Sequence, residues 1–290
     1  MPGFQIGEVF IESLRFLFKQ LRAAFVLAVV PYGLLLGLTV LASGLMPDDL
    51  GTLELRPGAE YQLEGLVLLD PATGESLDLA PILWFQLLMF ILALVVPLPF
   101  KVAWLRYTLL GPRFQPVRPV FRFGDRELRF LGYTVGLTLI MLAIGGVGGA
   151  VAGMIGAAAG SLSFSLVLTL ASIALLAWIT ARLYFVFPAV VMDLPGGFRR
   201  AWVESSGQAL KLIVLTVIIL LVLGLPTILV GMLLAGAPPV AVVVGMVLQI
   251  VIDAGLWTAL GFAYWRTTGI PGPQGPTPPA VSPGFDPRVD

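Results

Sequence analysis

Residues 130 to 181 run for 52 positions without a single Asp, Glu, Lys or Arg. No water-facing surface can be built from such a stretch. As one helix it would be ~78 Å long at ~1.5 Å per residue, against a hydrocarbon core of ~30 Å. The segment therefore has to cross a bilayer, turn and cross back. Gly156, Gly160, Ser161 and Ser163 cluster near its middle, which places the turn at Gly156–Ser163.

A second run, 212–265, holds 54 residues with Asp253 as its one charge. Paired prolines end helices, so Gly236-Ala237-Pro238-Pro239 divides it into two crossings. Leu21–Leu45 and Ile82–Ala103 each supply about 20 apolar residues, enough for one span. Six spans result, at 21–45, 82–103, 130–155, 163–185, 211–235 and 240–265. The whole chain is 58% hydrophobic and 12% charged. A soluble domain carries about 25% charge, so lipid has to cover this one. The expected fold class is an all-α polytopic membrane protein, with a six-span domain over residues 1–268. The first apolar run exceeds the ~7–15 residues of a signal-peptide core and has no small-residue cleavage site, so it reads as an uncleaved span.

Sixteen of the seventeen basic residues fall on one side of this arrangement. The loop 47–80, on the other side, carries Arg56 and eight acidic residues. The excess of Lys and Arg marks the cytoplasmic side, so both termini are expected there and the acidic loop is extracytoplasmic. Within that loop Thr52–Arg56, Tyr61–Asp70 and Ser76–Leu79 are expected strands, with turns at Pro57-Gly58 and Pro71–Gly74. An acidic loop with little order is the alternative. The Pro- and Gly-rich tail 269–290 is expected to be disordered.

Two cytoplasmic stretches have the spacing of interfacial helices. The first sets Ile6, Val9, Phe10, Ser13, Leu14, Leu17 and Phe18 on one face. The second, Phe198–Leu210, does so with Phe198, Ala201, Trp202, Ser205 and Ala209. Each is a connector in the headgroup region or a docking surface. Three segments repeat weakly, ending in Trp104–Arg106–Tyr107, Arg182–Tyr184–Phe185 and Tyr264–Trp265–Arg266. Trp and Tyr favour the interface, and Arg reaches to headgroups, which suffices to explain them. Pro97, Pro99 and Pro226 should kink their helices.

The candidate polar site is Asp253 with Gln249 one turn before it on the same helix face. An Asp near the midplane costs about 2.5–3.5 kcal/mol on insertion scales, so it should face protein or water. It is either a proton or cation site or a protonated, hydrogen-bonded group that fixes helix packing. Thr169 and Ser172 on the fourth span are candidate partners. The glycines Gly145, Gly149 and Gly153 stand at G-x-x-x-G spacing and are expected at a helix–helix contact. No Lys-Ser/Thr follows them, so they form no phosphate loop.

The chain has no histidine and no cysteine. Thiolate chemistry and disulfides are excluded, along with the commonest general base and metal ligand. No catalytic motif, cofactor site or metal-ligand spacing is present, and Asp125 reads as the cap of a helix beginning at Arg126.

Ala103-Trp104-Leu105-Arg106-Tyr107-Thr108-Leu109-Leu110-Gly111 and Phe121–Leu131 resemble segments of uncharacterised six-span membrane proteins of alphaproteobacteria. Phe187-Pro188 to Asp193, with Ala201 and Ser205 before the fifth span, is distantly similar to the membrane domain of glycerophosphoryl diester phosphodiesterases. The catalytic domain of that group is absent, so no activity and no site residue carry over. The resemblance implies a bacterial inner membrane. The expected role is non-enzymatic, as an envelope or lipid-associated scaffold, with a small transporter or channel using Asp253 as the alternative. Membrane lipids are the expected partners, with other envelope proteins or further copies of the chain beside them, and nothing points to nucleic acid.

Overall fold

The computed structural model describes residues 4–44, 62–64, 67–69, 76–78, 80–112, 115–118, 121–159, 162–234 and 236–269. These residues are almost entirely helical. Six helical stretches are long and apolar enough to cross a membrane: Leu21–Leu41, Ala80–Leu110, Asp125–Ile155, Ser163–Val191, Ala209–Leu233 and Pro239–Thr268. All six expected crossings are present, several with longer helical ends than the charge pattern suggests.

The chain opens with α1 (Ile6–Lys19) and α2 (Leu21–Gly44). The second crossing is α3 (Ala80–Val95) and α4 (Leu98–Leu110), separated by a turn at Val96-Pro97. Pro97 therefore breaks this span, where a kink was expected. The long helices α5 (Asp125–Ala159) and α6 (Leu162–Leu183) form a hairpin that reverses within the expected turn. The short α7 (Val186–Val191) and α8 (Gly197–Glu204) follow. The fifth crossing is α9 (Ala209–Ile219), a π turn at Leu220–Gly224, and α10 (Leu225–Leu233). Pro226 has no N–H, and the widened π turn just before it absorbs the missing helix bond. The last helix is α11 (Pro238–Thr268), closed by Gly269 in the left-handed region that favours glycine.

Three expectations change in detail. Tyr61–Asp70 is not one strand: β1 (Gln62–Glu64) and β2 (Val67–Leu69) pair antiparallel, with Glu64 opposite Val67, and β3 (Ser76–Asp78) pairs with β2. The expected strand Thr52–Arg56 and the tail beyond Gly269 lie outside the described residues. The stretch Phe198–Leu210 is not one helix either. α8 ends at Glu204, and Gly207 adopts φ +74°, which an ordinary helix cannot continue. In α1 the buried face holds Val9, Ser13, Phe16 and Leu17, whereas Phe18 is 60% exposed. Phe16 takes the place expected of Phe18.

The core is polarised. It gathers at the end of the bundle that carries the basic residues, around α1, α4, α7 and the C-terminal half of α11. α3 and α10 contain no buried residue. Trp104 and Tyr264 were expected at the lipid interface as repeated span exits, but both are fully buried. Trp104 stacks on Phe100 and Tyr107 and donates from Nε1 to the Ala254 carbonyl (2.9 Å) and to Thr258 Oγ1 (3.0 Å). Tyr264 packs edge-on against Phe185. Lipid tails are as apolar as the side chains, so burial alone drives helix association weakly in a bilayer. Van der Waals fit and interhelical hydrogen bonds carry it, and both concentrate at the basic end.

The same end is tied by polar contacts between consecutive and distant segments. Arg266 pairs with Glu12, Lys211 Nζ donates to the Phe4 carbonyl (3.1 Å), and Tyr107 Oη donates to Gln20 Oε1 (2.8 Å). Arg182 donates to the Trp202 carbonyl (2.6 Å), with its guanidinium over the Trp202 ring at 4.1 Å and the Trp178 ring at 5.3 Å.

Candidate functional site

Asp253 sits on α11 facing inward. Gln249, one turn earlier, donates from Nε2 to Asp253 Oδ1 at 2.9 Å, as their spacing implies. The other carboxylate oxygen, Oδ2, accepts the hydroxyl of Tyr32 from α2. Tyr32 is nearly fully buried and packs edge-on against Phe100. Thr169 and Ser172 are not partners of Asp253. Their hydroxyls turn back to the carbonyls four residues earlier, Ser165 and Leu168, as hydroxyls in apolar helices do. Tyr32 escapes a sequence reading because nothing local in α2 marks it, and its partner is 221 positions away.

Asp253 also lines a cavity of about 510 Å³ between α6, α9 and α11. The walls are mostly Leu, Ile, Val and Ala. The polar side chains among them are Asp253, Lys101, Thr180, Tyr184, Thr216 and the indole of Trp257. Lys101 lies near the end of the second expected span, 82–103. The structure continues that crossing through α4 to Leu110, which carries Lys101 into the bundle. Its ammonium lies 5.9 Å from the centre of the Trp257 ring and makes no ion pair with a described residue. The cavity thus presents one cation and one carboxylate to an otherwise apolar space.

The glycine contacts differ from those expected. A Cβ on Gly149 or Gly153 would meet no atom within 4 Å, and one on Gly145 would just touch Leu176. The close approach of α5 to α6 is at Gly148, where a Cβ would lie 2.8 Å from Ser172 Oγ. Neighbouring helix positions are rotated by ~100°, so a shift of one residue moves the contact to another face. Tighter still is Gly255 on α11, whose Cβ would lie 2.5 Å from Leu223.

A second polar group lies at the basic end. Asp193, after α7, adopts φ +57°, which Asp tolerates better than most residues. Its carboxylate is gripped by Arg126 and by Arg129 (3.1 Å), with Arg106 at 3.8 Å. Arg106 is itself fixed by donating to the Val191 carbonyl at 2.8 Å. The hydrogen bond from Arg126 holds the Asp193 carboxyl below the usual carboxylate range, against a smaller opposing effect of burial. α5 begins one residue earlier than expected, at Asp125. Its entry is closed by Glu127, whose carboxylate accepts the Gly124 N–H at 3.0 Å, in place of the cap expected from Asp125.

Among the described residues no group of three or more Asp and Glu is placed to hold a metal ion. No protein-family model, curated protein or solved structure matches this chain.

Proposed function

We propose that this chain is a non-enzymatic, lipid-associated protein of a bacterial inner membrane, with both termini cytoplasmic, and that the cavity beside Asp253 receives a membrane lipid. The observation that carries the reading is the composition of that cavity. Its volume of about 510 Å³ falls within the ~300–1,000 Å³ of ligand sites. Its walls are apolar, and its few polar side chains include one ammonium, Lys101, that forms no ion pair among the described residues. An acyl chain suits such walls, and Lys101 suits an anionic or ester-bearing head. Asp253 serves this arrangement as a joint: both carboxylate oxygens are taken by protein donors, which tie α2 to α11.

Native mass spectrometry on gently extracted protein tests the reading. The parent should retain one or more bilayer lipids, and Ala177→Phe, which fills the cavity from α6, should retain fewer. Equal retention by both would remove the cavity from consideration as a lipid site.

The presence of Asp253 and Lys101 in one cavity favours a second reading, a small transporter in which the pair moves protons or a cation. Proteoliposomes loaded with a pH-sensitive dye separate the two. Proton flux that disappears in Asp253→Asn supports transport, and no flux in the parent leaves the lipid reading.

A further inference from the structure

Five arginines line one cavity of about 750 Å³ at the basic end of the bundle. Arg106 comes from α4, Arg118 and Arg122 from the segment that follows it, and Arg126 and Arg129 from the first turns of α5. Three carboxylates stand against them. Asp193 takes Arg126 and Arg129, Glu127 is occupied by the Gly124 amide, and the Asp125 carboxylate lies on the cavity wall with no ion pair among the described residues, Arg129 reaching only its backbone carbonyl. Two positive charges are in surplus. Arg118 and Arg122 are exposed, and neither forms an ion pair with a described residue.

A basic surface at a membrane face ordinarily meets headgroups without forming a site. Here the guanidinium groups surround a concavity, and two of them are already oriented by Asp193. A guanidinium presents donors in a planar fork that matches phosphate oxygens. A phosphate monoester carries about −1.5 to −2 at neutral pH, which balances the surplus. We infer that this cavity binds a phosphate monoester group, held chiefly by Arg118 and Arg122 with Arg126 and Arg129 behind them. The group belongs either to a lipid headgroup such as phosphatidate or to a soluble phosphate. This site is separate from the cavity at Asp253 and does not depend on what that cavity holds.

The test uses the full chain in phosphatidylcholine nanodiscs and reads the thermal midpoint. One arm titrates inorganic phosphate against chloride at fixed ionic strength. The other replaces some phosphatidylcholine with phosphatidate, or with oleate of equal charge. A rise with inorganic phosphate assigns a soluble ligand, and a rise with phosphatidate alone assigns a headgroup. In either arm Arg118→Gln/Arg122→Gln should weaken the apparent affinity about tenfold or more, while leaving the midpoint in chloride unchanged. If the double variant does not fold, Arg122→Gln alone is measured. No rise in either arm, or a rise that the arginine variants keep, overturns the assignment.

Discussion

The hydroxyl of Tyr32 on α2 donates to the carboxylate of Asp253 on α11, and that single bond joins the first crossing to the sixth. Interhelical hydrogen bonds in membranes contribute about 0.6 kcal/mol on average and up to ~1.7 kcal/mol. A bond to a carboxylate belongs at the upper end. Tyr32→Phe should therefore lower stability by roughly 1–2 kcal/mol in a detergent unfolding series. Asp253→Asn keeps an acceptor for Tyr32, and its amide can donate to Gln249 once the Gln249 amide turns over. Its stability should match the parent. Asp253→Leu leaves both donors unpaired and should cost about 1–3 kcal/mol. An Asn variant as unstable as the Leu variant would mean that the charge itself holds the bundle.

The α5–α6 hairpin gives a comparison between adjacent glycines. Gly148→Leu drives a side chain into Ser172 and should destabilise by about 1–3 kcal/mol through overpacking. Gly149→Leu adds its side chain to open space and should change stability by less than about 0.5 kcal/mol. Thermal midpoints of the two purified variants check this. The opposite order would place the helix contact on the G-x-x-x-G face after all.

Asp193 makes a pH-dependent contribution of known sign. Its carboxyl is held below the usual value near 3.8 by the hydrogen bond from Arg126, with Arg129 and Arg106 adding to it. A group depressed in the folded state stabilises above its unfolded value and loses that contribution as pH falls through the folded one. Asp193→Asn tolerates the same positive φ and removes only the charge. At neutral pH it should be less stable than the parent by about 1 kcal/mol or less, because its side chain is 43% exposed and solvent screens the pairs. The difference should close as pH falls below about 3.8. A gap that persists at lower pH would show that the side-chain shape matters and its ionisation does not.

The proposed orientation is open to direct labelling. The chain has no cysteine, so single introduced thiols report unambiguously. In intact cells Ser76→Cys should react with an impermeant maleimide, and Ser282→Cys should react only after lysis. Labelling of the second site in intact cells would invert the topology.

The six crossings are legible in the sequence because charge-free length and helix breakers are local properties of the chain. Which residues meet across helices is not local. Gln249 could be placed beside Asp253 because both lie on one helix, whereas Tyr32 could not. The G-x-x-x-G spacing points to Gly145, Gly149 and Gly153, but the rotation of α5 against α6 places the close approach at Gly148, which that spacing does not include. Lys101 reads as a charged residue at the end of a span until the continuation of that crossing through α4 sets it against the cavity beside Asp253. The aromatic exits Trp104 and Tyr264 follow interface statistics in sequence and core packing in fact, because their neighbours come from other spans.

The bond between Tyr32 and Asp253 also has a consequence in time. A ribosome adding about 5–20 residues per second needs roughly 10–45 s to make the 221 residues between them. Glu12 waits still longer for Arg266, 254 positions on. Through that interval α2 is in the bilayer with its tyrosine unmatched, and α4 lacks the helix that Trp104 bonds to. The early crossings can meet one another before then, as Tyr32 meets Phe100, but the contacts of α11 to α1, α2 and α4 form only when α11 arrives.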